Sequence, residues 1–536
     1  MPIGKFREWW RVRRGLSPLS SPVGSMVVEP TYLLRDEFSG DLAAGSVNGT
    51  SAVPGPGTRT VVDTNGIMSI ADGVLVVNGT PAADDRFHIG SVARIIGWVF
   101  KATLPTVVTA SINSIFVGWS TDGGVSNSGV PAFIYNDATS VYVRDGGLGV
   151  YAVTLGAAPH YLAAVTRATG GWTFAFISNL WRMTYIHSTD ASGTLFPKFI
   201  LPAAVAMNFT YDAHRVPQSL YIPTPLCYDT FGRANGTLGN SETTGPDSQT
   251  TEALAWTGST YTISSNAAIN TPTLGSDVIV NGGFGADTNW SKGAGWTIAA
   301  GTAVATVASS DLTASVAPLT TGTWYQTAFT QGGFSAGTVA VVLGTTVFPT
   351  HNTNATFTET GRATSTAFAL RGSGLTDTVD NVSAQPLTLS TLFASINVVS
   401  TADVHARVAV TLDGALLGKQ AGLVLNLDSA ASPANFIIAY LNGNGNAVLD
   451  ECVAGTYTNK ISAAVTYSAG AYLYVIRRGT SCWLFYNNAQ VGTVQTMTAN
   501  TNKLFGLFST SSLSSLDAFE LWPDGGNGEH AALNGF

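Results

Sequence analysis

The chain has 536 residues, of which 45% are hydrophobic and only 11% are charged, and its formal net charge is −8. This composition excludes a disordered chain, and the length leaves room for roughly three or four domains. The 58 glycines, together with short apolar runs broken by turn dipeptides, favour an all-β protein over a helical one.

The first fifteen residues, MPIGKFREWWRVRRG, are basic and aromatic in an otherwise acidic chain. Residues 1–14 contain five Lys or Arg and one Glu, a net charge of +4. Because the whole chain has a net charge of −8, the remaining residues carry a net charge of −12. A body with this charge balance does not favour binding to phosphate backbones. We therefore expect no nucleic-acid partner.

The same residues predict a short amphipathic helix, because aromatic and basic side chains recur at spacings of three or four. A helix of this length is marginal in water, so it needs a surface against which to order. Three interpretations stay open: docking on another protein, binding to a membrane surface, and a tail without a role. We favour docking through residues 1–16, with the following anchors: Phe6, Trp9, Trp10, Arg11, Arg13 and Arg14.

Neither an export signal nor a membrane span is predicted. Arg13 and Arg14 resemble the start of a twin-arginine signal, but Pro and Ser follow where an apolar segment of about 7–15 residues is required. No apolar run approaches the roughly 18 residues that a spanning helix needs. Cys227, Cys452 and Cys482 are too few and too scattered for a disulfide framework, although one bridge among them stays open.

Two parts of the chain repeat each other. The segment YLAAVTRATGGWTFAFISNL (161–180) aligns without a gap with YLYVIRRGTSCWLFYNNAQV (472–491). Upstream, Asp36 and Phe38 correspond to Asp229 and Phe231. Two copies of one fold are therefore predicted. Both segments read as hairpins, and we expect the alternating aromatic residues 172, 174 and 176 to line the interior of the first copy.

The second copy contains an insertion. Its opening parallels that of the first copy, but the matching continuation, STLFASINVVS (390–400) against RIIGWVFKATL (94–104), appears only after about 110 further residues, enough for a whole β-sandwich. The predicted domains are an N-terminal peptide and linker (1–29), a first jelly roll (30–225), a second jelly roll (226–276 plus 387–524), an inserted sandwich (277–386) and a C-terminal tail (525–536).

The opening Asp-x-Phe, the early strand GVLVVN (73–78) and the late hairpin resemble the concanavalin A-like, or laminin-G-like, jelly-roll family. The inserted segment is similar to carbohydrate-binding modules of the family 4 and 9 type, through Asn281, Gly282, Phe284, Trp290, Trp296, Asp380, Asn381 and Val382. These resemblances imply an all-β fold of tandem jelly-roll or β-sandwich domains, preceded by the short amphipathic helix.

The resemblance to carbohydrate-binding modules implies sugar binding through flat aromatic surfaces and a few amides. The candidate glycan contacts are Trp290, Trp296, Trp324 and Tyr325. Packing inside the sandwich is the competing interpretation for each ring, but Trp324 and Tyr325 are adjacent, so on a strand one of them points away from the core. Such modules often hold a structural calcium ion, for which Asp380 is the candidate ligand, while Gly285 stands where an acidic residue is usual.

The residues do not predict an enzyme. Glycoside hydrolases of the concanavalin A-like family place two carboxylates across the scissile bond in an E-x-D-x-x-E string, which this sequence does not contain. The nearest acidic pair, Asp450 and Glu451, is expected at a solvated strand end. The seven histidines are scattered singly, as is usual for surface or hydrogen-bonded residues.

Several β-sandwiches without catalytic groups, on a chain without a signal peptide, are typical of virion proteins, because phage particles assemble in the cytoplasm and are released by lysis. The arrangement looks like the head fibres, decoration proteins and tail-tip adhesins of tailed phages. We therefore predict a structural virion protein that binds host or environmental glycans and contacts capsid or tail proteins through residues 1–16. Whether the protein forms a homo-oligomer is left open by the sequence. The alternatives are a bacterial cell-surface adhesin or polysaccharide-binding protein and, third, a polysaccharide hydrolase or lyase.

Overall fold

A computed structural model describes residues 32–524 with short gaps. The gaps are at residues 54, 56, 83–84, 94–98, 105, 109–114, 121–128, 136–139, 146–147, 155–159, 166–172, 178–179, 185–193, 202–206, 212, 218–223, 246–249, 413–418, 444 and 488. The predicted N-terminal helix with all its anchors, and the tail 525–536, lie outside the described residues.

The described chain is built of β-strands and turns, with one short 3-10 helix at Leu389–Leu392 among these residues. The predicted all-β fold class is confirmed. In the part of the chain that the structure describes, no helix is long and apolar enough to cross a membrane.

We call residues 32–217 the N-terminal unit. Its strands are β1 (Tyr32–Asp36), β2 (Thr60–Val62), β3 (Met68–Ala71), β4 (Val74–Gly79), β5 (Arg86–His88), β6 (Val92–Ala93), β7 (Val99–Leu104), β8 (Thr106–Val108), β9 (Ile115–Ser120), β10 (Gly129–Tyr135), β11 (Ser140–Asp145), β12 (Leu148–Thr154), β13 (His160–Val165), β14 (Thr173–Ile177), β15 (Leu180–Thr184), β16 (Thr194–Ile200), β17 (Met207–Tyr211) and β18 (Ala213–Pro217).

The C-terminal unit is formed by two separate stretches of the chain. The first contains β19 (Cys227–Asp229), β20 (Gly236–Thr237), β21 (Tyr261–Ser264) and β22 (Ala267–Asn270). The inserted unit follows, with β23 (Trp290–Lys292), β24 (Trp296–Ala299), β25 (Thr302–Ala308), β26 (Asp311–Ala314), β27 (Trp324–Gln331), β28 (Ala336–Leu343), β29 (Thr346–Val347), β30 (Thr356–Arg362) and β31 (Phe368–Pro386).

The second stretch of the C-terminal unit contains β32 (Phe393–Asn397), β33 (Val404–Leu412), β34 (Ala421–Leu427), β35 (Phe436–Leu441), β36 (Asn446–Val453), β37 (Thr456–Ala464), β38 (Ala471–Arg478), β39 (Ser481–Tyr486), β40 (Ala489–Thr496), β41 (Leu504–Ser509) and β42 (Ser514–Pro523). The two stretches share a sheet, because β19 and β22 both pair with β42. The predicted domain boundaries themselves stay a prediction.

The N-terminal and C-terminal units have one strand order. The sheet order β1-β18-β7-β13-β14-β15 recurs as β19-β42-β33-β38-β39-β40. The opposing sheet, β12-β11-β10-β9-β16-β5, recurs as β37-β36-β35-β34-β41-β32. In the C-terminal unit a continuous apolar core fills the space between the two sheets.

This order corrects two details of the sequence alignment. The strand β32 takes the position of β5, not of β7, so the insertion replaces the short connection of residues 80–85. The hairpins differ in register by two residues, because Ala163 pairs with Phe176 whereas Tyr474 pairs with Phe485. A shift by two preserves the face of each residue, since side chains alternate along a strand.

Trp483 and Phe485 of the C-terminal hairpin do not line the interior of this unit, whereas Tyr486 belongs to its core. Cys482 and Leu484 belong to the core, and Trp483 and Phe485 alternate with them on the outer face of the sheet. In the N-terminal copy, the side chains of the stripe lie outside the described residues.

The opening Asp-x-Phe motif has a structural role. Asp229 is fully buried and accepts hydrogen bonds from the backbone N–H of Phe231 (2.8 Å) and from Arg233 (2.6 Å) and the Trp256 indole (2.8 Å). Phe231 has a φ of +52°, so the carboxylate stabilises a left-handed residue whose ring lies in the core.

The N-terminal unit repeats this motif with a different cation. Asp36 accepts the N–H of Phe38 (2.9 Å), which has a φ of +53°, and binds Arg59 through two hydrogen bonds of 2.6 and 2.8 Å. Arg59 is only 2% exposed, whereas the Arg233 side chain is 30% exposed. The two units thus share a motif but differ in how deeply its cation is buried.

Strand β31 connects the two sheets of the inserted unit. Its first half pairs with β26 and β28, and its second half pairs with β25 and β27. The residues between these sheets form a separate apolar core. The outer face of β27 and β30 packs on the outer face of the sheet β32-β41-β34-β35-β36-β37, where a third cluster contains residues of both units.

Candidate binding sites

Three of the predicted glycan contacts lie in the core of the inserted unit. Trp290, Trp296 and Tyr325 are 5%, 4% and 2% exposed. Their polar atoms bond inside the protein: the indoles donate to the carbonyls of Asn281 (3.0 Å) and Ser310 (2.9 Å), and the Tyr325 hydroxyl accepts a backbone N–H. A sugar stacks on an open ring face, so these rings do not form the predicted platform.

Trp324 points away from that core, as the alternation with Tyr325 predicts, but it meets the C-terminal unit instead of solvent. Its ring lies 5.4 Å from Phe508 and 5.9 Å from Tyr440, and its indole N–H donates to the Tyr457 hydroxyl at 3.1 Å. Trp324 is 3% exposed. The predicted glycan contact is thus a residue of the interface between two units.

An ion pair with a fully buried carboxylate lies beside Trp324. Arg362 binds Asp450 at 3.1 Å and stacks over Tyr457 at 4.2 Å. Asp450 also accepts hydrogen bonds from Tyr440 (3.0 Å) and Asn459 (2.8 Å), and it has no exposed surface. A buried carboxylate needs such partners. The expectation that Asp450 marks a solvated strand end is therefore wrong.

A second polar contact fixes the same interface. The Thr360 hydroxyl bonds the Gln420 side chain (2.9 Å) and the Thr510 hydroxyl (2.8 Å), and the Gln420 amide donates to the Thr360 carbonyl (2.6 Å). All three residues are buried. Directional bonds in a buried interface specify one relative orientation of the two units.

The acidic pair Asp450 and Glu451 cannot act on one glycosidic bond. As neighbours on β36 they point to opposite faces of the sheet, with Asp450 toward the inserted unit and Glu451 toward the sandwich interior. Glu451 is 5% exposed, accepts the backbone N–H of Thr498 at 2.5 Å and binds Lys460 at 3.0 Å. Hydrolysis requires two carboxylates that face the same bond.

The residues around Asp380 do not fit a calcium ion. Calcium takes about six to eight oxygen ligands. An Asp380 oxygen accepts the N–H of Asn381 at 2.7 Å, and the Asn281 amide bonds the carbonyls of Ala286 (2.7 Å) and Thr288 (2.9 Å). Among the described residues, no group of three or more His, Cys, Asp or Glu side chains could hold a metal. The Asn281 amide links the loop carbonyls instead.

A pocket of about 230 Å³ opens at one end of the C-terminal unit. It lies between the ends of β35 and β36 and the connection from β40 to β41. Its lining combines a short apolar floor with amide, hydroxyl and carboxylate groups, contributed by Asn435, Phe436, Ile437, Glu451, Cys452, Val453, Thr498, Ala499, Asn500, Thr501 and Asn502.

The polar rim of this pocket is partly fixed and partly open. The Asn500 amide donates to the carbonyl of Asn426 at 2.9 Å, and its own side-chain oxygen accepts the N–H of Asn502 at 2.9 Å. The side chains of Thr501 and Asn502 form no hydrogen bond within the described residues. They therefore offer a hydroxyl and an amide to a ligand.

This rim was not among the candidate sites predicted from the sequence. Its signal is the polar run TANTNK (498–503) between strands β40 and β41. Such a run is also typical of a solvated turn, so the sequence alone does not separate the two interpretations.

The sequence also contains GFSAG (333–337), which matches the G-x-S-x-G pattern of the nucleophile elbow of hydrolases. An elbow connects a strand to a helix, whereas Ser335 immediately precedes strand β28. Its hydroxyl lies 3.5 Å from the Thr376 carbonyl. The string therefore lacks the structural context of an elbow.

No family model and no curated protein matches the sequence. Solved structures with similar folds include the carbohydrate binding module CBM66 from Bacillus subtilis, at 15% identity over 24% of this chain and 79% of that chain, with a TM-score of 0.20. The exoplasmic/lumenal domain of VIP36, bound to Ca²⁺ and Man3GlcNAc, matches at 10% identity over 31% and 86%, with a TM-score of 0.25.

The catalytic domain of an endo-1,3-β-glucanase from Thermotoga petrophila matches at 8% identity over 36% of this chain and 98% of that chain, with a TM-score of 0.25. These likenesses extend over parts of the chain and are too distant to transfer a site. The account of function below therefore uses the chain's own geometry.

Proposed function

We propose that the protein is a non-catalytic, glycan-binding structural protein whose binding site is the pocket at the open end of the C-terminal unit. The observation that carries this proposal is the rim of Thr501 and Asn502, whose polar side chains have no internal partner, beside the apolar side chain of Val453, which is 40% exposed. Sugars present hydroxyls at their edges and C–H groups on their faces, and this lining matches both.

The size of the pocket favours one sugar unit at a time. Its volume of about 230 Å³ lies below the range of about 300–1,000 Å³ that is typical of sites for drug-sized ligands. A terminal residue of a glycan chain fits such a site, with the rest of the chain in solvent. We therefore propose end-on recognition.

The proposed location is the virion of a tailed phage, attached through residues 1–16. Cys227, Cys452 and Cys482 are all free and buried, which supports assembly in a reducing compartment such as the cytoplasm. Burial raises the pKa of Cys452 to about 11 and that of Cys482 to about 12, so both thiols are inert at neutral pH. The same observation favours the virion over an exported bacterial adhesin.

A glycan array probed with the full chain tests the binding function. We expect at least one class of glycan to bind, and we expect Thr501→Ala/Asn502→Ala to weaken it about tenfold, as two lost hydrogen bonds predict. Asn352→Ala, an exposed amide of the inserted unit, is the matched control and should bind as the native chain does. Absence of binding to every glycan would contradict the proposal.

Antibodies against residues 277–386 test the location on purified particles. We expect labelled virions by negative-stain imaging, and deletion of residues 1–16 should release the protein from particles without unfolding the β units. Unlabelled particles would contradict the virion proposal, and retention of the deletion variant at normal copy number would contradict the docking role of the peptide.

A further inference from the structure

One buried cation near the pocket lacks a counter-charge. Arg477 on β38 has the same strand parity as Leu473 and Val475, which belong to the core of the C-terminal unit. It is only 1% exposed. A guanidinium ion is thus placed in the apolar interior of the sandwich, where an unmatched charge is costly.

The hydrogen bonding of Arg477 is incomplete. Its Nη2 donates to the carbonyl of Thr498 over a long distance of 3.4 Å, whereas its Nε and Nη1 have no partner among the described residues. Arg407, the other fully buried arginine of this sheet, instead forms a bond of 2.5 Å to Glu520. The unused N–H groups of Arg477 therefore require a ligand or ordered water.

The neighbouring charged side chains already have partners within the protein. Glu451 is bound by Lys460 and by the N–H of Thr498. Asp428, at the Asn435 side of the pocket, accepts the backbone N–H groups of residues 434 and 435 at 3.0 and 2.9 Å. Arg477 is then the charged group around the pocket, among the described residues, that keeps N–H groups without any partner.

Arg477 is also close to the pocket. Thr498, whose carbonyl accepts its only described hydrogen bond, is itself a lining residue, and Glu451 lines the pocket from β36 of the opposing sheet. The positive charge thus lies directly behind the Thr498 wall. A charge with low-dielectric surroundings acts over a longer range than one in water.

We propose that the pocket selects a sugar that bears a carboxylate, such as a uronic acid, with Arg477 as its counter-charge. This inference rests on the proposed glycan-binding function and names its ligand class. The carboxylate reaches the Thr498 end of the pocket, while Thr501 and Asn502 bond the hydroxyls of the same sugar ring. No covalent step is involved.

Calorimetric titration of the full chain with oligoglucuronate, oligogalacturonate and the neutral oligoglucose and oligogalactose tests this inference. We expect the acidic oligomer to bind about 30-fold more tightly than its neutral counterpart. Arg477→Met, which keeps the side-chain volume, should remove this preference and leave neutral binding unchanged. Its melting temperature should be equal to or above that of the native chain, because a well-packed apolar residue replaces an unmatched charge.

Lys503→Met is the matched control, because it removes a more exposed cation on the same connection. We expect it to retain the preference for acidic sugars. Equal binding of acidic and neutral oligomers by the native chain, or a preference that survives in Arg477→Met, would overturn the inference while the glycan-binding function stands. A lower melting temperature of Arg477→Met with unchanged preference would assign Arg477 a structural role. Binding of none of the oligomers, neutral or acidic, would instead count against the proposed function.

Discussion

The N-terminal and C-terminal units share one strand order, but they differ in a single connection. Between β4 and β5 the N-terminal unit has only residues 80–85, whereas between β22 and β32 the C-terminal unit contains the whole inserted unit. The insertion leaves the strand order intact because it is confined to one loop. The inserted unit also covers the outer face of one sheet of the C-terminal unit, where the third apolar cluster forms.

This difference determines where a ligand can bind. In the C-terminal unit the face of β34, β35 and β36 is closed by Trp324 and its neighbours. The open end of the same sandwich, with its amide rim, remains accessible. The inserted unit is therefore a structural partner of the C-terminal unit, and the proposed binding site belongs to the C-terminal unit alone.

The largest effect on stability is expected at the contact between the inserted unit and the C-terminal unit. Trp324→Ala removes a ring that packs on Tyr440 and Phe508 and a hydrogen bond to Tyr457, so we expect a loss of about 4 kcal/mol in the free energy of unfolding. Urea denaturation of the full chain should then show a separate, earlier transition for the inserted unit.

Val316→Ala provides the control for that experiment, because Val316 is 59% exposed in the same unit. We expect a change of less than about 0.5 kcal/mol. An equally small change for Trp324→Ala would show that the two units are not coupled through this face.

The shared Asp-x-Phe motif predicts effects of different size in the two repeats. Asp36→Ala leaves Arg59 buried and unpaired, with an expected loss of about 3 kcal/mol. Asp229→Ala leaves Arg233, whose side chain can reach solvent, so a loss of about 2 kcal/mol is expected. Denaturant titrations of both variants measure the two losses of stability. A larger loss for Asp229→Ala than for Asp36→Ala would contradict this role of cation burial.

The pH dependence of the C-terminal unit should follow Asp524. Burial raises the pKa of this carboxyl, but hydrogen bonds from Arg478 and His405 outweigh burial and hold its pKa well below the usual range. A carboxyl with a lowered pKa stabilises the fold at neutral pH, and this stabilisation is lost as the pH falls below about 5.

Asp524→Asn should therefore be about 1–2 kcal/mol less stable than the native chain at pH 7, and this gap should close on acidification. Thermal unfolding between neutral and acidic pH measures the effect. A gap that stays constant down to low pH would contradict the assignment to Asp524.

The smallest effect is expected for calcium. Because the Asn281 amide already links the loop carbonyls, neither added calcium nor a chelator should move the melting temperature by more than about 1 °C. A chelator-induced drop of several degrees, reversed by calcium, would show that an ion binds after all.

The fold class and the repeat could be predicted from sequence because both depend on local patterns. Alternation, turn residues and the Asp-x-Phe motif are each encoded within a few neighbouring residues, such as Asp229 and Phe231. The adjacent pair Trp324 and Tyr325 even predicted that one ring points outward. The alignment of β32 was wrong because β32 and β7 have similar apolar patterns.

The site could not be predicted in the same way. Trp324 meets Tyr457 across 133 positions of the chain, and nothing in either local sequence indicates that contact. Likewise, the burial of Asp450 depends on Arg362 from a different unit. The incomplete bonding of Arg477 is a property of three-dimensional packing, because its strand alone reads as an ordinary apolar strand that ends in two arginines.

The most direct test of the central claim is a crystal structure of the full chain with the tightest ligand of the glycan array. We predict sugar density in the pocket lined by residues 435–437, 451–453 and 498–502, with hydrogen bonds to Thr501 and Asn502 and the inserted unit still docked through Trp324. Sugar density on the inserted unit, or between the two units with Trp324 displaced, would contradict this account.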